Sequence, residues 1–356
     1  MKIGIRTDAS CQIGTGHFMR CLTLADALKQ RGAQIHFLSR CLPEHLRSML
    51  EAKGHQFTLL NNPHCDQALD ELAHAHWLGV RQDQDAEDSI RALSGEALDW
   101  LIVDHYALDF RWESMLRQTV KRILVIDDLA DRRHDCDLLL DQNIYADMTA
   151  RYIGMVPTHA HLLLGPHYAL LREEFRHLHE QIKPRSGPVK RVLVFLGGVD
   201  AANYTGRAIE ALAEINAGLH VDVVIGKQHP CCEKIKTMCI KCGFICHVET
   251  DKMADLMAAA DLAVGAGGSA SWERCCLGLP TLLVAVVDHQ VNIAKALDLL
   301  GACIYLGTLV NISIPVLRDA IISLLKAQDQ ANILSQKAYS LVDGIGVDRV
   351  CREVCC

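Results

Sequence analysis

The sequence predicts an α/β protein built on doubly wound parallel sheets. Short runs rich in Val, Ile and Leu alternate with helix-like segments, which is the pattern of repeated βαβ units. The runs at 100–105 and 122–127 are continuously apolar, as in parallel strands that are buried on both faces. The alternation stops at 181–190, where two prolines and a glycine stand among cations, and then starts again.

The predicted elements follow one another regularly in both halves of the chain. In the first half, strands are expected at 2–7, 34–39, 56–60, 100–105 and 122–127, with helices at 17–31 and 43–53. In the second half, strands are expected at 191–196, 220–225, 244–248, 262–264, 281–287 and 303–306. Helices are expected there at 204–216, 230–241, 252–260, 269–277, 290–300, 315–327 and 331–341. The stretch 61–97 is less regular and is expected to include an exposed part.

The length and the break at 181–190 together indicate two domains, because 356 residues correspond to two units of roughly 150 residues each. Ligands of open α/β sheets bind outside the carboxyl ends of the strands, so a cleft shared by the domains is the expected binding place. The expected division is an N-terminal Rossmann-like domain at 1–180, a linker at 181–190, a second Rossmann-like domain at 191–330, and a C-terminal helix with a cysteine-containing tail at 331–356.

Charge and hydropathy exclude several kinds of partner. A net charge of −7 disfavours binding to a nucleic-acid backbone or to an anionic membrane surface. The longest apolar run, 277–287, has eleven residues, whereas a membrane span needs about 20. Charged residues interrupt the apolar ones at the N-terminus, so no secretory signal is expected there. These features together predict a cytoplasmic protein.

Cysteine is unusually frequent, with 16 copies. In a cytoplasmic chain of this length, we expect reduced thiols that act as small apolar side chains. Five of them cluster between 231 and 246, but their spacing differs from the separated ligand pairs of zinc sites, so no metal site is expected. Cys351, Cys355 and Cys356 are expected to form a mobile, oxidisable tail.

The loop at 8–16 places two glycines between the first strand and the first helix. Gly14 and Gly16 permit close approach to the backbone, and the N–H groups at a helix start favour an anion. Met19 stands where the dinucleotide-binding pattern needs its third glycine, and the P-loop pattern is absent as well. His17 lies at the helix start and is placed to accept a proton; a capping histidine without chemical role is the alternative.

A second glycine-rich loop, at 265–269, joins a strand to a helix in the second domain. Its backbone N–H groups can form a cradle for a pyrophosphate, and an ordinary tight turn is the alternative. A carboxylate one turn into the helix can bind a ribose diol. The candidate nucleotide-binding residues in this loop and helix are Gly267, Gly268, Ser269 and Glu273. Gly197 and Gly198, at the end of the strand at 191–196, are further candidates.

Two carboxylate pairs end strands of the first domain, Asp104 with Asp109 and Asp127 with Asp128. Paired carboxylates can act as acid and base in glycoside hydrolysis. They also cap helices and pair with arginines, and this structural interpretation is the favoured one.

Several motifs act together as a signature that extends over nearly the whole chain. They are Arg6-Thr7-Asp8, Gly14-Thr15-Gly16-His17, Arg20-Cys21, Asp104-His105-Tyr106, Ile126-Asp127-Asp128, Leu164-Gly165-Pro166, Tyr168-Ala169-Leu170-Leu171-Arg172, Leu196-Gly197-Gly198-Val199-Asp200, Gly265-Ala266-Gly267-Gly268-Ser269 and Trp272-Glu273. With these motifs the chain resembles the UDP-sugar hydrolases of pseudaminic acid biosynthesis, which act on UDP-2,4-diacetamido-2,4,6-trideoxy-β-L-altropyranose. That family is similar in fold to the GT-B glycosyltransferases, such as the N-acetylglucosaminyltransferase of murein synthesis. The resemblance therefore implies a GT-B-like fold.

The resemblance also implies roles for single residues. His17 corresponds to the family's catalytic histidine, Glu273 to its ribose-binding carboxylate, and the glycines of the second domain with Ser269 to its phosphate-binding groups. The implied substrate-binding residues are Gly14, Gly16, Arg172, His289 and Gln290. The family tends to have Asn-Gln after the strand at 281–287, and Asp288-His289-Gln290 stands here instead. A sugar contact then falls to His289, Gln290 or Asn292.

The implied activity is hydrolysis of the UDP-linked diacetamido sugar to UDP and free sugar, for flagellin glycosylation or a surface polysaccharide. Water attacks the anomeric carbon directly and inverts it, with His17 as general base or water-orienting group and Asp8 orienting His17. No cofactor and no metal ion is expected, and the partner is a small-molecule UDP-sugar. Two alternatives remain: a GT-B glycosyltransferase that uses a UDP-amino sugar donor, and a nucleotide-sugar-binding protein without catalysis.

Overall fold

The chain consists of two α/β units, each built on one parallel sheet. The computed structural model describes residues 1–10, 12–61, 70–93, 95, 97–215, 218–308 and 312–356. Unit 1 comprises Met1–Asn143, Asp147–Leu170 and Ile345–Cys356. Unit 2 comprises Ile144–Ala146 and Leu171–Gly344, and it includes the segment 181–190. The predicted fold class, with two doubly wound parallel-sheet domains, is confirmed.

Unit 1 contains a seven-stranded sheet with helices on its connections. Its strands are β1 (Lys2–Thr7), β2 (Gln34–Ser39), β3 (Gln56–Leu59), β4 (Leu98–Asp104), β5 (Val120–Ile126), β6 (Leu138–Asp141) and β7 (His161–Leu164). Its helices are α1 (Gly16–Gln30), α2 (Glu44–Ala52), α3 (Gln82–Ala92), α4 (Phe110–Leu116) and, from the C-terminus, α13 (Gly346–Cys355). The strands pair in the order β3-β2-β1-β4-β5-β6-β7, all parallel.

The central strands of unit 1 are apolar throughout because both faces of the sheet are covered. In β4, Ile102 packs into one core cluster, whereas Leu101 and Val103 pack into the cluster on the other face. This alternation explains why the sequence shows a continuous apolar run rather than an apolar and polar alternation. The short strands β6 and β7 were not predicted from the sequence, because a strand of four residues shows too little periodicity.

The expectation that 61–97 is irregular is wrong for its second half. Residues 62–69 lie outside the described part, but 82–92 form α3, and its Asp85 is fully buried. Asp85 binds two buried arginines, at 2.8 Å from Arg6 Nη2 and 2.9 Å from Arg40 Nε. The polar composition that predicted exposure therefore reflects acids that neutralise arginines inside the unit.

The cysteine-containing tail is also not an extended appendage. Residues 346–355 form α13, which packs on α1, and the indole Nε1 of Trp100 donates a hydrogen bond of 2.9 Å to Val354 O. Cys351 is fully buried in this contact, while Cys355 and Cys356 are exposed. The composition indicated a mobile tail, but the apolar residues of this helix are spaced to face α1 and pack against it.

Unit 2 contains a six-stranded parallel sheet. Its strands are β8 (Arg191–Phe195), β9 (His220–Ile225), β10 (Ile245–Val248), β11 (Leu262–Ala266), β12 (Thr281–Ala285) and β13 (Ile304–Thr308). Its helices are α5 (Glu173–Gln181), α6 (Tyr204–Ala213), α7 (Cys232–Cys242), α8 (Met253–Ala259), α9 (Ala270–Cys276), α10 (His289–Leu299), α11 (Ile314–Lys326) and α12 (Gln328–Leu341). The strand order is β10-β9-β8-β11-β12-β13. Across the described ranges of both units, no helix has the length and hydropathy needed to cross a membrane.

Candidate functional site

Each sheet has one point at which the strand order reverses. In unit 1 the reversal lies between β1 and β4, and in unit 2 it lies between β8 and β11. Loops that leave the carboxyl ends of such neighbouring strands diverge to opposite faces and open a crevice for a ligand. Both loops singled out from the sequence lie at these points: 8–16 follows β1, and 265–269 begins with the last two residues of β11.

His17 forms a close pair with Asp104 at the reversal point of unit 1. His17 lies in the first turn of α1, and Asp104 is the last residue of β4. The imidazole Nδ1 lies 2.6 Å from Asp104 Oδ1, and Arg20 Nε donates to Asp104 Oδ2 at 2.6 Å. Asp104 is fully buried, whereas a tenth of the His17 side chain remains exposed. The carboxylate therefore holds the ring from inside, and the ring faces outward.

The charge state of Asp104 determines which nitrogen of His17 carries the proton. Burial alone would raise the pKa of Asp104, but Arg20 and then His17 outweigh it and hold this pKa well below its usual range. An ionised carboxylate only accepts hydrogen bonds, so Nδ1 must donate. The neutral imidazole then presents Nε2 as an acceptor. Within the described residues Nε2 has no hydrogen-bond partner, so it is available as a base.

Asp128 and Tyr106 complete the surroundings of His17. Arg20 Nη1 donates to Asp128 Oδ2 at 3.1 Å, and the Tyr106 hydroxyl donates to the other oxygen of Asp128. The Tyr106 ring meets the His17 ring edge to face at 4.5 Å, and Trp77 stacks on Tyr106 at 5.5 Å. These rings fix the plane of the imidazole. They also give the space beside it an aromatic wall.

Asp8 does not orient His17, contrary to the expectation from the sequence. Its Oδ1 accepts the backbone N–H groups of Arg40 and Cys41 at 2.7 and 3.1 Å, and Arg6 Nη1 lies 2.8 Å away. Its Oδ2 lies 3.1 Å from Nε2 of the buried His105. Asp8 thus joins the end of β1 to the segment after β2, and all its contacts are used there. Asp8 follows β1 directly, but the adjacent strand β4 brings Asp104 to the imidazole.

The loop before α1 uses its own N–H groups. Ser10 Oγ accepts from Gln12 and Ile13 at 3.2 and 3.1 Å, and Ser10 O accepts from Gly14 at 2.8 Å. Gly14 adopts a φ of 76°, which favours glycine there. The expected anion contacts from Gly14 are therefore taken inside the loop, because this tight turn satisfies its own donors. The loop positions Gly16 and His17 at the start of α1.

The other strand-end acids divide into two groups. Asp109 accepts from Arg111 N at 2.9 Å and caps α4, and Asp127 lies 2.8 Å from Arg132 Nη1. The structural interpretation is confirmed for these two acids. Asp104 and Asp128, in contrast, face the His17 network through Arg20.

Asp141, which ends β6, is a buried acid with an unusual titration. Burial raises its pKa, and the negative charge of Asp128 raises it further, to about 7. Its Oδ1 accepts the backbone N–H of Asn143 at 2.9 Å, and its Oδ2 lies 3.0 Å from the Tyr152 hydroxyl. That hydroxyl can donate its one hydrogen to Asp127 O at 2.9 Å and accept on the Asp141 side, so an amide with its oxygen toward Asn143 and its nitrogen toward Tyr152 also fits this position.

Replacement of Asp141 by Asn should stabilise the protein at neutral and alkaline pH. The unfolded carboxyl titrates near pH 4, so the folded state holds its proton more tightly and loses stability as the pH rises from about 4 to about 7. The gain from Asp141→Asn should grow over that interval, stay constant above it, and reach on the order of 2–4 kcal/mol. Urea unfolding across this pH range measures it, with Asp251→Asn as an exposed-carboxylate control. An equal gain at both ends of the range would contradict the assignment.

In unit 2, the loop after β11 has the geometry of a small backbone cradle. Gly267 N donates to Val284 O at 3.1 Å, and Gly268 adopts a φ of 102°. Within the described part of the chain, the N–H groups of Gly268 and Ser269 form no hydrogen bond. Next to this loop, the segment after β8 brings Gly198 O to Gly226 N at 3.0 Å, and Gly197 has a φ of 103°. Free N–H groups beside this second glycine turn can donate hydrogen bonds to an anion.

Glu273 and Arg172 lie together near this loop. Glu273 Oε1 is 3.5 Å from Arg172 Nη2, and Arg172 Nη1 is 2.9 Å from Glu174 Oε1. Burial raises the pKa of Glu273, and Arg172 opposes that rise. The structure thus pairs Arg172, expected to bind the sugar, with the carboxylate expected to bind the ribose.

Gln290 has a structural contact that the sequence did not predict. Its Oε1 accepts Val286 N at 2.9 Å, and a Cβ on Gly267 would lie 2.9 Å from its Cβ. The side chain therefore locks the loop after β11 to the end of β12. Its carbonyl is not free for the substrate contact expected of it, because it already accepts the backbone N–H of Val286, the residue after β12. His289 begins α10, and its side chain lies outside the described part of the molecule.

The cysteine cluster fits the prediction of apolar thiols. Cys239 is buried in the core of unit 2, and the other four pack against that core. Among the residues that the structure describes, no three Cys, His, Asp or Glu side chains are placed to hold a metal ion.

The chain is similar to one family of domains and to several individual proteins. Residues 191–333 match the glycosyltransferase family 28 C-terminal domain. The chain is 25% identical to the spore coat polysaccharide biosynthesis protein SpsG of Bacillus subtilis, over 98% of this chain and 96% of that protein. It is 27% identical to the UDP-2,4-diacetamido-2,4,6-trideoxy-β-L-altropyranose hydrolase of Campylobacter jejuni, over 66% of this chain and 73% of that protein.

The fold comparison agrees with the expected architecture. The structure is similar to that of MurG from Acinetobacter baumannii, with a TM-score of 0.67 and 14% identity over 99% of this chain and 98% of that one. The fold is therefore GT-B-like, as expected. The residues that match the glycosyltransferase domain lie within unit 2.

Sequence patterns favour a purely structural role for Asp104 and give no role to Trp77 or Arg274. The signal for Asp104 lies in the topology, because it ends the strand adjacent to β1. Trp77 stands in the less regular stretch 61–97 and carries no periodic signal. Arg274 adjoins Glu273 on α9, and its burial is not visible in a single sequence.

Proposed function

We propose that the protein hydrolyses UDP-2,4-diacetamido-2,4,6-trideoxy-β-L-altropyranose to UDP and the free sugar, a step of pseudaminic (nonulosonic) acid biosynthesis. The observation that carries the proposal is the His17–Asp104 pair, in which a buried carboxylate at 2.6 Å makes Nδ1 the donor and leaves Nε2 as a base. The 27% identity to a hydrolase of that substrate supports the choice of sugar.

The proposed reaction is a single displacement. His17 Nε2 takes a proton from water while the water oxygen bonds to the anomeric carbon. The bond from that carbon to the phosphate oxygen breaks, and its electron pair leaves with UDP. One displacement inverts the anomeric carbon. A positioned general base contributes about 10²–10⁴ in rate, and N–H donors such as those of Gly268 and Ser269 stabilise the charge of the leaving diphosphate.

A glycosyltransferase is the second candidate. The match of 191–333 to a glycosyltransferase domain and the likeness to MurG favour it. The same base would then deprotonate a hydroxyl of an acceptor rather than water. The two candidates differ in whether the sugar is released without an acceptor.

Incubation of the purified protein with the UDP-linked diacetamido sugar in oxygen-18 water, without acceptor, distinguishes the candidates. Hydrolysis should release UDP, and proton NMR should first show the inverted anomer of the free sugar. The label should enter the sugar and not UDP, because the carbon–oxygen bond breaks. Release of UDP that requires an acceptor would indicate a transferase, and binding without turnover would indicate a binding protein. EDTA should leave the rate unchanged; a loss that added metal restores would contradict the metal-free proposal.

Replacement of Glu273 by Gln should weaken the binding of UDP by roughly 10- to 100-fold, because a charged acceptor for the ribose hydroxyls is lost. The 2′,3′-dideoxy analogue of UDP should bind the variant and the wild type equally. Isothermal titration calorimetry with both nucleotides measures this difference. Glu174→Gln, which also removes a carboxylate beside Arg172, is the matched control. Equal weakening for both nucleotides would contradict a ribose contact.

A further inference from the structure

Arg274 lies buried beneath the glycine-rich loop of unit 2. Its side chain extends from α9 and is 2% exposed. A Cβ on Gly265 would lie 2.6 Å from Arg274 Nη1 and 3.3 Å from Phe195 O. Gly265 and Phe195 are paired residues near the carboxyl ends of β11 and β8. The guanidinium therefore occupies the reversal point of the sheet, and the absence of a side chain at Gly265 makes room for it.

This guanidinium has too few partners for a buried cation. Nη2 donates to Ala266 O at 2.6 Å and to Ser271 Oγ at 3.1 Å. Within the described ranges, Nε and Nη1 have no hydrogen-bond partner, and no carboxylate forms an ion pair with Arg274. The buried arginines of unit 1 differ, because each has a carboxylate within 2.9 Å; they are Arg6, Arg20, Arg40 and Arg132.

An unpaired buried charge is unfavourable unless another group compensates it. Burial indeed lowers the pKa of Arg274, with opposing contributions from Cys275 and Glu273. Arg274 Nη2 donates to Ala266 O, and two and three residues further along the same loop the N–H groups of Gly268 and Ser269 have no partner among the described residues. The cation and these donors act in the same direction, since both attract negative charge. An anion at the loop would compensate the charge that the protein leaves unpaired.

We propose that Arg274 is a positioning residue that supplies the positive charge for a nucleoside diphosphate bound at the loop 265–269. This inference rests on the proposed function and assigns its electrostatic component to one residue. Arg274 is too deeply buried to touch the ligand. It acts through its field and through Ala266 O, whose hydrogen bond fixes the direction in which the loop leaves β11. A role in the field depends on charge, whereas a role as a loop support depends on shape.

The binding of UDP, UMP and uridine to Arg274→Lys and Arg274→Met separates these roles. We expect Met to weaken UDP by about 10- to 100-fold, UMP by less, and uridine not at all. Lys should retain most of the affinity for UDP. The deficit of the Met variant should shrink at high salt, because ions screen the interaction. Calorimetry measures all three ligands, and Ser271→Ala is a control that removes a neutral contact of Nη2 and keeps the charge.

Two outcomes would overturn the proposal. Equal losses for UDP and uridine, or equal losses in the Lys and Met variants, would reduce Arg274 to a loop support. Should the Met variant not fold, wild-type protein with inorganic pyrophosphate gives the answer: its thermal unfolding temperature should rise, and by less at high salt, while no rise would overturn the proposal. Because binding is measured rather than turnover, wild type that binds UDP without hydrolysing the sugar would contradict the proposed hydrolysis and not the role of Arg274.

Discussion

Replacement of His17 by Asn should lower the release of UDP from the diacetamido sugar by about 10²–10⁴-fold. Asn is similar in size and can still accept and donate hydrogen bonds, but it cannot take a proton from water. Asp104 should stay ionised beside Arg20, whose Nε donates to it at 2.6 Å. The fold of unit 1 should therefore survive, and the loss should lie in turnover rather than in affinity for UDP.

The measurement is the rate at saturating substrate together with the dissociation constant of UDP. His76→Asn is the matched control, because His76 is an exposed histidine near Trp77 and has no contact with Asp104 among the described residues. It should retain wild-type turnover. A His17→Asn protein that releases UDP at the wild-type rate would exclude His17 as the base, and the proposed mechanism would then need another group.

The architecture could be predicted from the sequence because parallel strands buried on both faces leave continuous apolar runs. Leu101, Ile102 and Val103 are an example, since they pack alternately into two core clusters. The same rule fails for α3, whose polar residues look solvent-facing. Asp85 is buried there because Arg6 and Arg40 neutralise it. A short window of sequence does not show ion pairs between residues that are far apart along the chain.

The candidate site, like the fold, could be predicted from the sequence only in part. His17 could be found from its local pattern, a histidine that follows two glycines at a helix start. Its partner could not be chosen in this way, because Asp104 is 87 positions away and Asp8 is close. The choice requires knowing that β4 lies beside β1, and this adjacency depends on how the whole sheet is ordered. The long-range order of strands thus decides the chemistry that the local motif only permits.

Replacement of Asp104 by Asn should reduce turnover by about 10³–10⁴-fold, which is the loss expected when a His–Asp pair loses its ionised carboxylate. An amide can donate to Nδ1, which favours the tautomer with the proton on Nε2 and removes the base. The variant should also be less stable, by about 3–5 kcal/mol, because Arg20 loses a buried counter-charge. Asp128 still faces Arg20 at 3.1 Å and should keep the unit folded.

The wild-type pair has a defined pH dependence. Arg20 and His17 hold the pKa of Asp104 below its value in the unfolded chain, so the folded state binds fewer protons than the unfolded state in acid. Its stabilisation is therefore complete above about pH 4 and is lost as the pH falls through the folded pKa. Asp104→Asn should remove that part of the acid sensitivity.

Asp8→Asn is the matched comparison, since Asp8 is equally buried and also pairs with an arginine but does not contact His17. It should lower the free energy of unfolding and leave most of the turnover per folded molecule. Rates normalised to the folded fraction, from circular dichroism on the same samples, separate the two effects. If Asp8→Asn lost as much turnover as Asp104→Asn at equal folded fraction, Asp104 would not be the residue that fixes the tautomer of His17.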